Sequence, residues 1–120
     1  MTPSEIIVSD CLRNKVDYKP VLNYIARLIQ DKKGVILQNL NSILLLKYLS
    51  KNEVELHLFT ADKPVSAMKA VKHFIKTIKE MPLKAVYGKS SDPQVKAMLE
   101  SSGVTVEKSD KPEFQWMAKV

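Results

Sequence analysis

The chain contains a single cysteine, two histidines and two arginines among its 120 residues. With Cys11 alone, no internal disulfide framework and no cysteine-rich zinc site can form. His57 and His73 have no ligand spacing that points to a metal, so no metal site is expected. The apolar runs extend over only a few residues, far short of the ~20 that cross a bilayer. No secretory pattern opens the chain. These absences predict a reducing, intracellular setting without a membrane partner. Proline-, glycine- or serine-rich linkers, low-complexity tracts and repeats are missing as well, which predicts one domain over residues 1–120. The shortage of arginine beside 17 lysines, and the lack of any helix-turn-helix, RNA-recognition or zinc-finger pattern, argue against sequence-specific DNA reading. Weak, non-specific, salt-sensitive attraction to polyanions remains open.

What is present is an ordinary globular composition, with 45% hydrophobic and 27% charged residues. The net charge of +6 is unevenly placed. Residues 63–96 hold eight lysines (Lys63, Lys69, Lys72, Lys76, Lys79, Lys84, Lys89 and Lys96) against Glu80 and Asp92, and the rest of the chain is balanced. A basic excess in one segment points there for a partner carrying phosphate or carboxylate.

The apolar periodicity divides the chain into short elements. Glu5 to Val8 favours a strand through Ile6, Ile7 and Val8, with a short helix as the alternative. From Asp17 to Asp31, Val21, Leu22, Ile25, Leu28 and Ile29 recur at helical spacing, with Pro20 in the first turn and Gly34 beyond the end. Val35 to Leu40, Ile43 to Leu49 and Val54 to Thr60 then read as an antiparallel meander broken by short polar turns. The middle run is apolar on both faces, whereas Val54, Leu56 and Leu58 alternate with Glu55, His57 and Phe59.

Met68, Val71, Ile75, Ile78 and Met81, with Phe74, predict a helix from about Ser66 to Met81, with Lys69, Lys72, Lys76 and Lys79 on its opposite side. Pro82 ends it. Leu83 to Tyr87 follows as a strand, with a crossover long enough for parallel pairing. Asp92 or Ser91 would cap the next helix, Val95, Met98 and Leu99 would form its buried stripe, and Gly103 suits its end. Val104 to Glu107 and Glu113 to Lys119 predict a closing hairpin around the turn Lys108 to Pro112, with Phe114, Trp116, Ala118 and Val120 on one face. The fold class is therefore α/β (α+β), a mixed sheet in which a meander precedes a strand-helix-strand parallel pair and a C-terminal hairpin.

This order of elements resembles the GCN5-related N-acetyltransferase (GNAT) fold. The run Val54-Glu55-Leu56-His57-Leu58-Phe59-Thr60 before a long helix is similar to short GNAT-like proteins of tailed bacteriophages. So is the later run from Asp92 through Met98, Leu99 and Gly103 to Phe114-Gln115-Trp116. Some of those proteins are named acetyltransferases and others internal virion proteins, so the resemblance implies a place in the host cytoplasm or the virion.

The resemblance also implies an acetyl-CoA crevice between the family's fourth and fifth strands, here Val54 to Thr60 and Leu83 to Tyr87. Thr60, Lys63, Val65, Ser66 and Ala67 would contact the cofactor. The family's pyrophosphate loop is glycine-rich, whereas Ala61 to Ala67 has no glycine. Pro64 removes one N–H donor, and Asp62 sets a negative charge where phosphates would lie. Lys63 and the Ser66 hydroxyl would offset part of that loss. The family's proton-donating tyrosine falls at Leu99, which cannot transfer a proton. Glu55 or His57 is the candidate base, and Tyr87 the substitute acid.

Three readings follow. The first is a GNAT-fold acyl-CoA-dependent N-acyltransferase with weak or lost activity. The second is a non-catalytic GNAT-like virion or assembly component, with a protein partner. The third is a small basic modulator binding nucleic acid or an acidic host protein through residues 63–96.

Overall fold

A computed structural model describes residues 1–89 and 93–120. The elements run in the order α1 (Pro3–Arg13), α2 (Tyr18–Gln30), β1 (Gly34–Asn39), β2 (Ser42–Ser50), β3 (Glu53–Thr60), α3 (Pro64–Glu80), β4 (Ala85–Gly88), α4 (Pro93–Ser101), β5 (Val106–Lys108) and β6 (Trp116–Lys119). All the strands join one sheet in the order β1-β2-β3-β4-β6-β5. β1, β2 and β3 form the antiparallel meander, β3 and β4 pair in parallel across α3, and β6 lies antiparallel between β4 and β5. The mixed α/β fold read from the sequence is the fold observed. The final strand sits inside the sheet, where Trp116 and Ala118 are buried, while the half-buried Val106 with the exposed Glu107 and Lys108 suits an edge.

The first element differs from the favoured reading. Residues 3–13 are helical, because Thr2 and Glu5 form a reciprocal capping box around Pro3 and so satisfy the first amides of α1. Ile6, Ile7 and Cys11 fall on one side of that helix and are buried. The β-branched residues that favour a strand in isolation are held in helical form by the cap and by burial against the sheet.

Among the described residues the two largest apolar clusters lie on the two sheet faces. Leu44, Leu46, Val54, Leu56 and Leu58 pack with Phe74, Ile75 and Ile78 of α3 and with Val95 and Leu99 of α4. Ile43, Leu45 and Phe59 face the other way, against Ile6, Ile7 and Cys11 of α1 and Ile25 and Leu28 of α2. Both faces of β2 are thus covered, as its continuous apolar run requires.

Three side chains depart from the expected faces. Met68 and Ile29 are 43% and 42% exposed. The positions of α3 that close on the sheet are instead Ala67, Ala70, Val71, Phe74, Ile75 and Ile78. Phe114 joins Ala85, Tyr87 and Met117, away from Trp116 and Ala118, because regular alternation begins only at Trp116. The expected Ser91 or Asp92 cap, and the side chain of Met98, lie outside the described residues. Gly103 ends α4 at φ +81, a conformation glycine adopts without a Cβ penalty.

Candidate functional site

The parallel ladder between β3 and β4 joins Glu53 to Ala85, Val54 to Val86 and Glu55 to Tyr87. β3 then continues to Thr60, whereas β4 stops at Gly88. Where the two strands part, a groove of about 1530 Å³ opens, with walls supplied by all four helices. Gly88 marks its start: a Cβ there would overlap the Trp116 indole, so β6 approaches β4 this closely only with glycine at the position. Trp116 is buried in that contact, and its indole N–H has no partner among the described residues.

α3 begins at one end of this groove. Lys63 is its N-cap residue in extended conformation, and no side chain caps the helix. Pro64 has no N–H to offer, so the amides of Val65 and Ser66 are the first-turn donors that no cap satisfies. Lys63 and Val65 are exposed, Ser66 is half-buried, and Ala67 is buried in the groove wall. Uncapped amides at a helix start, beside a lysine, favour an anion.

Asp62 opposes this less than the sequence suggested. Its Oδ2 accepts hydrogen bonds from the Asn41 N–H at 3.0 Å and the Ser42 hydroxyl at 2.7 Å, which directs the carboxylate to the turn between β1 and β2.

Thr60 lines the groove, but its polar groups are engaged within the protein. Its N–H donates to Asp10 Oδ2 at 2.9 Å, and its carbonyl accepts from Arg13 at 3.0 Å. Its hydroxyl shares a 2.7 Å hydrogen bond with Ser42 and accepts from the Asp62 N–H. Thr60 therefore fastens α1 to the end of β3 and has no polar group left for a ligand.

Glu55 and His57 project from the same face of β3 into the groove. The Glu55 side chain is 16% exposed, and its Oε2 lies 3.9 Å from Lys89 Nζ. His57 is exposed, with its ring 4.6 Å from that of Phe59.

Tyr87 is the ladder partner of Glu55, but its hydroxyl is directed away from Glu55 and His57. Its hydroxyl lies 3.0 Å from Glu53 Oε2 and 2.9 Å from Asp110 Oδ1, at the opposite end of β3 from the opening. Burial first, then the hydrogen bonds to Asp110 and Glu53, push its ionisation far above the ordinary phenol value. Leu99 is buried in the core beneath α4, while Ala97 and Ser101 are the α4 residues among the described ones that reach the groove. Cys11 is also in the wall; burial first, then Asp10 and Asp17, push its thiol up, so it stays protonated.

Sequence reasoning missed Tyr24 and Lys47. Lys47 is the cross-strand partner of Glu55. Its ammonium lies 5.4 Å from the centre of the Tyr24 ring. A hydrogen bond with Tyr24, ahead of the opposing effect of burial, raises Lys47 above the usual lysine value. The alternation of β2 places Lys47 on the face of Ile43 and Leu45, but only the docking of α2 brings Tyr24 to it.

The course of the backbone is similar to that of known structures. A Campylobacter jejuni N-acetyltransferase in complex with acetyl coenzyme A is similar over 100% of this chain and 92% of its own, with a TM-score of 0.60 at 13% identity. The chain has the GNAT fold. A Bacillus subtilis acetyltransferase in complex with CoA matches with a TM-score of 0.57 at 12% identity, covering 99% of this chain and 91% of its own. A spermidine N-acetyltransferase chimera from Vibrio cholerae matches with a TM-score of 0.56 at 11% identity, over 99% and 90% of the two chains. No protein-family model matches the chain, and no curated protein matches it. The GNAT fold is thus recognised from the course of the backbone.

The residues present fit a CoA-type group. The groove follows the split between β3 and β4, its α3 end has uncapped amides beside Lys63, and one oxygen of Asp62 is engaged by the turn between β1 and β2. The donor set is smaller than a glycine-rich loop would give, because Pro64 occupies the first position of the helix.

Proposed function

We propose that the chain is an acyl-CoA-dependent N-acyltransferase of slow turnover, with the acyl donor in the groove between β3 and β4. The observation that carries this reading is the early end of the β3/β4 ladder, which opens a groove with the carboxylate of Glu55 inside it. The amides of Val65 and Ser66 would hold the pyrophosphate, with Lys63 adding charge from the rim, and the small Ala67 leaves room beside them. When bound, acetyl-CoA supplies a thioester carbonyl open to attack by an amine.

Glu55 accepts a proton from the incoming ammonium and makes its nitrogen nucleophilic. His57, two residues on along the same strand face, is the alternative base. Leu99 belongs to the core and the Tyr87 hydroxyl is held by two carboxylates, so protonation of the leaving group falls to solvent. Slow turnover is the consequence.

Isothermal titration with acetyl-CoA should give one saturable site. Glu55→Gln should lower kcat by about a hundredfold or more while leaving cofactor affinity unchanged. The absence of heat at millimolar acetyl-CoA would overturn the reading. A non-catalytic GNAT-like component of phage particles is the second reading, favoured by Leu99 in the core and by Pro64 at the start of α3. It expects no turnover and recovery of the chain from purified particles by mass spectrometry.

A further inference from the structure

We propose that the acceptor is an α-amino acid with an apolar side group, its nitrogen at Glu55 and its carboxylate on Lys47 and Lys89. This rests on the transferase reading for its chemistry, but not for the binding of the amino acid itself.

Glu55 lies between two cations. Lys47 stands opposite it in the β2/β3 ladder, and Lys89 Nζ is 3.9 Å from its Oε2. Both lysines line the groove with Glu55 on the face covered by α2. Lys47 is half-buried and held under the Tyr24 ring, while Lys89, at 56% side-chain exposure, reaches in from the end of β4. Around Glu55 itself, two ammonium groups stand against one carboxylate.

The other two carboxylates in the wall make their contacts away from this cluster. Asp10 pairs with Arg13 at 3.0 Å, and Asp62 accepts from the turn between β1 and β2. A polyamine entering here would bring further ammonium groups against Lys47 and Lys89 and be repelled. A zwitterion matches the pattern, with its ammonium on Glu55 and its carboxylate on the lysines. The same groove exposes apolar surface: Val16 and Tyr24 are each 47% exposed, and Met68 is 43% exposed. Exposed side chains of this size gathered in one concave site suit an apolar body on the ligand.

The test is binding measured by chemical-shift titration of the labelled protein, with and without CoA, using L-phenylalanine, phenethylamine and spermidine. Phenethylamine is phenylalanine without its carboxylate. Phenylalanine should shift the amides around Lys47, Glu55 and His57, and should bind about tenfold or more tightly than phenethylamine, the size of one charge-assisted contact. Lys47→Met should remove that preference and leave phenethylamine binding no weaker. Lys89→Met, at an exposed position, should reduce it in the same direction.

Equal binding of phenylalanine and phenethylamine, preference for spermidine, or no shifts in the groove with any of the three would each overturn the proposal. Calorimetry with acetyl-CoA on the same samples separates it from the transferase reading. Amino-acid binding without cofactor heat would remove the transferase and leave the acid-selective site, and cofactor heat with spermidine preferred would do the reverse.

Discussion

The hydroxyl of Tyr87 has one proton and two carboxylate neighbours, Glu53 and Asp110, with Lys111 Nζ 3.6 Å from Glu53 Oε1 and 5.4 Å from the centre of the Tyr87 ring. This cluster ties the chain before β6 to the start of β3. Burial raises the Tyr87 ionisation first, and the two carboxylates add to it. An absorbance titration should therefore leave Tyr87 un-ionised through the range near pH ~10 where an ordinary phenol titrates. Full ionisation of all four tyrosines in that range would contradict the geometry.

Glu53 shifts the other way, lowered by its hydrogen bonds from Ser50 and then Tyr87, with Lys111 adding to them. A carboxyl lowered in the folded state stabilises it fully above the ordinary value of 4.5, and loses that contribution as pH falls through the depressed value. Glu53→Gln should therefore flatten the loss of stability below that pH, read as thermal midpoint against pH. At Gly88, substitution by alanine should cost on the order of 2–4 kcal/mol in chemical denaturation, because the Trp116 ring occupies the space of the new Cβ.

Among the elements, α1 shows most clearly what local pattern conceals. Ile6-Ile7-Val8 is β-prone, yet the capping box of Thr2 and Glu5 with Pro3 between them marks a helix start in the sequence itself. That signal was legible and outweighs the propensity of three residues. Thr2→Ala should destabilise the fold by about 1 kcal/mol in denaturant unfolding. It should also loosen the Asp10 and Arg13 contacts to Thr60. In α3 the apolar stripe was legible to within one position. Met68 was assigned to the core and instead lines the groove, because α3 closes on the sheet through Ala67 and Ala70. Small residues set how near a helix lies, and a scale of hydrophobicity ranks them below the methionine beside them.

Across the whole molecule, the positive charge separates into two parts. Lys69, Lys72, Lys76 and Lys79 are exposed on α3, whose opposite face covers the core, while Lys63 stands at the start of α3 and Lys89 inside the groove. Replacing the four α3 lysines by glutamine should abolish retention on a polyanion column at low salt and leave acetyl-CoA affinity unchanged. Lys63→Gln should weaken acetyl-CoA about two- to fivefold, the size of one exposed charge. Equal loss in both variants would show that the cofactor sees only the net charge. Among the described residues no helix is long and apolar enough to cross a membrane.

The sequence by itself determined the meander, the crossover helix, the parallel pair and the two-sided burial of β2, because each follows from a local period of apolar side chains and from the residues that interrupt it. It also placed Glu55 and His57 on one face, since strand geometry alone puts alternate residues together. The tertiary structure decided the rest. The close approach of β6 to the end of β4 depends on Gly88 meeting Trp116, residues far apart in the chain. The withdrawal of Asp62 depends on the turn at Asn41 and Ser42, and the engagement of Thr60 on α1. The gathering of Tyr24, Lys47 and Lys89 around Glu55 needs α2, β2 and the end of β4 packed against the same face of the sheet. Such contacts join residues with no shared period, so no local pattern contains them.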